Sequence, residues 1–278
     1  SMCWRKALAV LLLAGNASAA EGWIAGGGIE GDTSDGLAGV AFADIAISEK
    51  TWLTGSVGGN RVELSRRQSN QTRFGSLGVD HWFDPVGVKL DISYWGDSDI
   101  LDSHDWGGSL YWRSDRVLLA GDYEYRDFSF TIPATQQFPG RTFYFDAHGI
   151  GLTARFDLTE SASLGFSGMS YGYSVDLRLD DSRPILDLLS FSRLSLINSL
   201  VDYTAFVTLG LDAGERNWAL EAGTWRGAVD GGKTTSATLR FLTPIGRSTD
   251  VELGLGLDDS DLYGSVTFFS VFLYFYGD

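Results

Sequence analysis

The sequence predicts an all-β fold, a transmembrane antiparallel up-and-down β-barrel of about 14 strands, with 12 to 16 as the bounds of the count. Three observations carry the prediction. Apolar and polar residues alternate with period 2 along most of the chain, an aromatic strand stands near its end, and an export-type segment stands near its start.

The alternation recurs in segment after segment. Val86, Val88, Leu90, Ile92 and Tyr94 alternate with Gly87, Lys89, Asp91, Ser93 and Trp95. Trp106, Gly108, Leu110 and Trp112 alternate with Asp105, Gly107, Ser109, Tyr111 and Arg113. The same holds for Val117–Arg126, Asp202–Leu209 and Asp250–Leu257. A soluble sandwich would alternate too, but here the apolar face carries Trp or Tyr near its ends, as interfacial girdles do. The expected strands are 22–30, 36–47, 52–65, 71–83, 86–98, 104–113, 116–131, 141–156, 162–178, 201–211, 216–228, 233–243, 249–257 and 261–276.

The last of these, Leu262–Tyr276, is aromatic on both faces, with Phe269, Val271, Leu273 and Phe275 on one and Phe268, Phe272, Tyr274 and Tyr276 on the other. Exposed in water it would be an aggregation template. In lipid it can close a barrel by pairing with the first strand. At the other end, Arg5 and Lys6 precede the apolar run Ala7–Ala14 and the pattern Ala17-Ser18-Ala19. Residues 1–20 therefore read as a secretory signal, the run being far short of the roughly 20 residues of a membrane helix. Residues 21–278 then form the barrel. Cys3 is the only cysteine, so the exported part has no disulfide, no cysteine-held zinc and no thiol chemistry.

Behind such a signal, the aromatic last strand resembles the C-terminal insertion signal of Gram-negative outer-membrane β-barrels. As architecture the chain resembles monomeric porins of about 14 strands, and no porin-subfamily motif is matched. The resemblance implies residence in the bacterial outer membrane, amid lipid and lipopolysaccharide.

Without Arg5 and Lys6, 19 basic residues face 36 acidic ones, a net charge of −17. That balance argues against nucleic acid as a partner and fits a cation-attracting mouth. The mean hydropathy of −0.02 is what lipid-facing apolar residues alternating with polar lumen residues would give.

Connections fall into two sets. Ser48–Thr51, Asp84-Pro85, Ser114-Asp115, Thr159–Ser161 and Asp212–Glu215 are tight; Ser65–Asn70, Asp97–His104, Ile132–Gly140 and Asp180–Leu200 are longer or more polar. Short periplasmic turns and long external loops show this asymmetry. Within Asp180–Leu200, Ser182-Arg183-Pro184 reads as a helix start, and Ile185, Leu188, Leu189, Leu196 and Leu200 recur at helical spacing around Arg193. A helical external loop is expected, with Leu188, Leu189, Arg193 and Leu196 as a constriction over the lumen. Two long strands projecting from the membrane are the alternative.

The polar faces hold charges of both signs: Arg61, Glu63, Asp80, Lys89, Asp91, Arg113, Asp122, Glu124, Arg126, Arg155, Asp202, Glu221, Arg240 and Glu252. Facing a water-filled lumen they would create a transverse field and select solutes. In a closed lumen they would only stitch the wall together. A ring of about fourteen strands favours the channel, since eight strands are already filled by side chains.

Asp97-Ser98-Asp99 and Asp102-Ser103-His104-Asp105 look like the carboxylate and Asp-His elements of omptin proteases. In omptins those elements face each other across a narrower ten-strand barrel; here both fall in one expected loop, so they cannot flank a substrate. Asp97, Asp99 and Asp102 remain weak candidates for Ca²⁺, beside the plainer reading of a solvated acidic loop. None of His81, His104 and His148 has a serine two residues on, as outer-membrane lipid hydrolases would require.

The expected function is therefore a passive, non-enzymatic, cofactor-free channel for small hydrophilic solutes with a cation bias. The alternatives are an accessory barrel with a partner in an envelope export or polysaccharide assembly and, behind it, an outer-membrane hydrolase. Purified in detergent, the protein is expected to migrate differently on gels before and after heating and to give a β-rich circular dichroism spectrum. A helical spectrum, or solubility without detergent, would contradict the fold class.

Overall fold

In a computed structural model, the described residues are 22–65, 68–97, 100–132, 140–175, 200–262 and 264–277. The segment 1–20, the expected helix and constriction of Ser182–Leu200 apart from Leu200 itself (with Leu188, Leu189, Arg193 and Leu196), and Asp99 lie outside them.

Fourteen strands form one closed antiparallel barrel, each paired with its neighbours in the chain and β1 with β14. They are β1 (Trp23–Asp32), β2 (Leu37–Ser48), β3 (Thr51–Ser65), β4 (Gln68–Trp82), β5 (Val86–Gly96), β6 (Leu101–Arg113) and β7 (Val117–Ile132). The second half is β8 (Arg141–Thr159), β9 (Ala162–Tyr173), β10 (Val201–Ala213), β11 (Arg216–Gly227), β12 (Lys233–Pro244), β13 (Thr249–Ser260) and β14 (Gly264–Gly277). No described residue is helical. Trp23 pairs with Gly277 and Asp32 with Phe268, so the aromatic last strand closes the ring.

The two ends of the barrel differ. At one, tight turns join the strands, such as Gly214-Glu215, where Gly214 takes a left-handed φ of 69° at no steric cost. The ends of β1 and β14 lie there too. At the other end β7 stops at Ile132 and β8 resumes at Arg141, and β9 stops at Tyr173 and β10 resumes at Val201.

Two expected loops are shorter than the sequence implies. β3 and β4 pair up to Ser65 and Gln68, and β6 begins at Leu101, leaving only 97–100 between it and β5. The cause is the same in both. Beyond the membrane both faces of a hairpin are wet, so a polar stretch can still pair.

Outside, the barrel presents a continuous apolar surface, with Leu90 55%, Ile150 70% and Leu152 73% exposed. Trp23, Phe83, Trp112, Trp218 and Phe275 ring its turn end, and Trp106 and Tyr123 lie toward the other. On β8 the outward positions from Leu158 to His148 span ten steps, which at about 3.3 Å each and a tilt of about 40° is roughly 25 Å, the height of a lipid-facing band. Such a surface in water would be untenable; in hydrocarbon it is at rest.

Inside, large side chains meet glycines. Inward aromatic residues stand directly across the ladder from inward glycines, among them Phe42 from Gly26, Phe272 from Gly28, Phe74 from Gly58, Tyr111 from Gly87, Tyr171 from Gly149, Phe206 from Gly223 and Phe268 from Gly256. Each ring lies over the space a Cβ would take on its glycine. The rings are laid against the wall by this pairing, burying their faces on the neighbouring backbone instead of crossing the lumen.

Leu90 faces lipid and Asp91 the lumen. Leu90→Arg is expected to cost about 2–4 kcal/mol and to impair folding into bilayers, while Asp91→Arg folds. Comparing folded yield in vesicles by gel shift tests the register; the opposite ranking would invert it.

Candidate lumen site

The inner wall carries two groups of charged residues centred on β6 and β13, seven strands apart in a ring of fourteen and therefore on opposing walls.

The first group is built around Arg126 on β7. Its side chain is 1% exposed, with Nε 3.4 Å from Asp105 Oδ1 and 4.0 Å from Glu124 Oε1. Its guanidinium lies 4.7 Å from the centre of the Phe128 ring and 5.7 Å from that of Tyr171. Tyr171 donates to Glu124 at 2.7 Å, and the Ser103 hydroxyl donates to Asp105. A guanidinium suits this place because it takes carboxylates at its edge and aromatic rings at its faces. One register step away, Asp91 lies over Gly107, where a side chain on β6 would have excluded it.

Toward the turn end, Lys89 Nζ sits 3.3 Å from Asp80 Oδ2, which also accepts from Tyr111 at 2.8 Å through Oδ1. Asp44 of β2 lies in reach of the same lysine. Asp122 accepts from Thr153 at 3.0 Å, and Arg155 pairs with Asp157 at 2.9 Å. On the far wall Arg240 bonds Glu221 at 3.2 Å and lies within the field of Glu252 and Glu30. Tyr274 donates to Glu252 at 3.2 Å and Tyr276 to Asp250 at 2.8 Å.

Of the residues singled out from sequence, Lys89, Asp91, Asp122, Glu124, Arg126, Arg155, Glu221, Arg240 and Glu252 all stand on the inner face. Arg113 is also on that parity but ends β6 exposed at the rim. Asp202 sits where the β10–β11 register slips between Val201 and Tyr203, and it pairs with Arg226 at 3.9 Å. Arg61 faces outward, across from the exposed Leu37, because it stands past the apolar band where alternation no longer reports the inside.

Sequence reasoning missed Glu30, Asp44 and Asp105 as lumen residues. Around Glu30 the strand reads Trp-Ile-Ala-Gly-Gly-Gly-Ile-Glu-Gly-Asp, too rich in glycine to show which parity is apolar. Asp105 stands on the polar parity of the expected strand 104–113, but it was grouped with the acidic run Asp102–His104 and not with the inward charges.

Above the charged group, toward the loop end, Trp95, Leu101, Phe128, Ala147, Leu200 and Ala228 form a buried apolar cluster with Phe74, Phe130, Phe145, Tyr173 and Val229 packed on it. Phe128 stacks on Phe145 with ring centres 4.8 Å apart.

Asp97 and Asp102 do not converge on a cation site. Asp97 Oδ1 accepts from the Ile100 and Leu101 amides at 2.7 and 3.1 Å, capping the turn, and Asp102 accepts from Ser129 at 2.8 Å. Among the described residues, no group of three His, Cys, Asp or Glu side chains could hold a metal ion. His81, His104 and His148 all lie on outward positions. His148 shares a hydrogen bond with the Tyr123 hydroxyl at 2.7 Å and lies 3.4 Å from Asp146.

A closed ring of fourteen antiparallel strands, apolar without and charged within, has the fold of a transmembrane β-barrel. The solved structures it resembles include the CymD monoaromatic hydrocarbon channel, at 10% identity over 93% of this chain and 89% of that one, with a TM-score of 0.56. They also include OmpT, an outer-membrane protein of Vibrio cholerae, in a loop L8 deletion mutant, at 10% identity over 92% of this chain and 98% of that one, with a TM-score of 0.51. At that identity the likeness is one of fold. No family model matches the chain, and no curated protein matches it.

Arg126→Leu would leave Asp105 and Glu124 buried beside each other without their cation. The expected loss is about 3–5 kcal/mol, read as a lower urea midpoint of the detergent-refolded protein. An unchanged midpoint would mean that water, not Arg126, compensates the carboxylates.

Proposed function

We propose that the protein is a passive channel of the bacterial outer membrane, admitting small hydrophilic solutes and favouring cations. The observation that carries this reading is the inner wall: charged side chains of both signs face each other across the ring, and the carboxylates outnumber Lys89, Arg126, Arg155 and Arg240. A low-dielectric tube with excess negative charge concentrates cations and repels anions. The glycine-paired aromatics support an open bore, since they lie along the wall. The segment 1–20 would direct export, and the apolar band would sit in lipid beneath lipopolysaccharide.

We read the chain as non-enzymatic. The described histidines point away from the lumen. A second reading, passage of apolar solutes, draws on the aromatic cluster around Trp95 and Phe128 and on the hydrocarbon-channel description of the CymD neighbour.

Single channels in planar bilayers test the proposal. In a KCl gradient the reversal potential is expected on the cation side. Arg240→Gln should move it further that way and Glu221→Gln should move it back. Absence of conductance from folded protein would overturn the channel and favour the accessory barrel with an envelope partner. Conductance with an anion-side reversal potential would overturn the cation preference.

A further inference from the structure

Three buried polar atoms on the β5–β6 wall have no hydrogen-bond partner: the Ser93 hydroxyl, the Trp95 indole N–H and Asp105 Oδ2. They are neighbours. Ser93 stands opposite Asp105 in the register and Trp95 opposite Ser103, all on the lumen face. Trp95 and Asp105 are each 2% exposed, while Ser93 and Asp91 are only half-buried and give the patch a wet edge on the bore.

A buried polar atom without a partner has lost its hydration for no return, and folded proteins keep few of them. Here one acceptor, one donor and one group able to act as either lie side by side. That is the complement of a guest carrying both a donor and an acceptor. The charge of the patch selects the donor. Asp91, Asp105 and Glu124 lie in one another's field, with Arg126 and Lys89 as the nearby cations. Arg126 bonds the other oxygen of Asp105, leaving Oδ2 for a second donor.

We propose that Ser93, Trp95 and Asp105 form a binding station for a small organic ammonium that also bears an oxygen acceptor. The ammonium donates to Asp105 Oδ2, and the solute's oxygen accepts from the Trp95 N–H and the Ser93 hydroxyl. The indole supplies an apolar wall for the carbon skeleton. The station names a solute class for the proposed channel and rests on that reading for its wet lumen.

Calorimetric titration of the detergent-refolded protein with ethanolammonium chloride, whose ammonium and hydroxyl are two carbons apart, tests the station. Binding is expected, and tetramethylammonium, with equal charge and no N–H, should bind at least about tenfold more weakly. Trp95→Phe, which removes the N–H and keeps a ring, and Ser93→Ala should each weaken ethanolammonium binding about three- to tenfold. Ser236→Ala, which removes another unpartnered buried hydroxyl on β12, should leave it unchanged. Heat-shifted gel migration confirms the fold of each variant, and the comparison of the two cations needs no variant at all. Equal binding of the two cations, no binding of ethanolammonium, or wild-type affinity in folded Trp95→Phe and Ser93→Ala would overturn the proposal. Conductance recorded on the same preparation separates the two readings. A conducting protein that does not bind loses the station and keeps the channel; a binding protein that does not conduct loses the channel and keeps the station.

Discussion

In hydrocarbon, a backbone N–H or carbonyl without a partner costs several kcal/mol, and the pairing of β1 with β14 is what leaves the ring without an edge. Much else in the molecule follows from that closure. Once the ladder is continuous, a strand's two faces are committed, one to lipid and one to the bore. A slip by one residue would put Asp91 and Arg126 into hydrocarbon and Leu90 and Tyr125 into the lumen. The register of the whole ring is held by that penalty, far more than by any single side-chain contact.

The wall then solves two problems at once. Bulky inward residues are needed to cover the backbone, yet they threaten to fill the bore. Opposing many of the inward rings with a glycine lets them lie flat, as Phe272 does over Gly28 and Phe268 over Gly256. Inward charges raise the second problem, since a charge packed against the wall loses hydration. Arg126 and Arg240 answer it by gathering carboxylates and tyrosines around themselves.

What the sequence discloses follows the same physics. Where one face meets lipid the alternation is sharp, and β5, β6, β7, β12 and β13 can be read from it with their inward charges. Where both faces are wet, pairing continues without a pattern. For that reason the β3–β4 hairpin and the start of β6 read as loops, and Arg61 reads as inward when it is not. Glycine blurs the signal in a different way: in β1 the run around Gly26–Gly28 is needed to admit Phe42 and Phe272, and it conceals Glu30. The bulge at Val201–Tyr203 breaks parity at Asp202 through a backbone irregularity with no signature in residue type. The ring–glycine pairs were legible in principle, but only after the register was known.

The central claim is a continuous aqueous bore with an acidic wall. The chain's only cysteine is Cys3, so single cysteines can be placed on a Cys3→Ser background at Ser109 and Thr208, which face the lumen from different walls, and at Leu110, which faces lipid. Labelling rates with cationic and anionic water-soluble thiol reagents of equal size then read access and sign together. The account predicts labelling at 109 and 208 with the cationic reagent faster by about tenfold or more, and none at 110. Equal rates for the two charges, or protection of both inward sites, would contradict it.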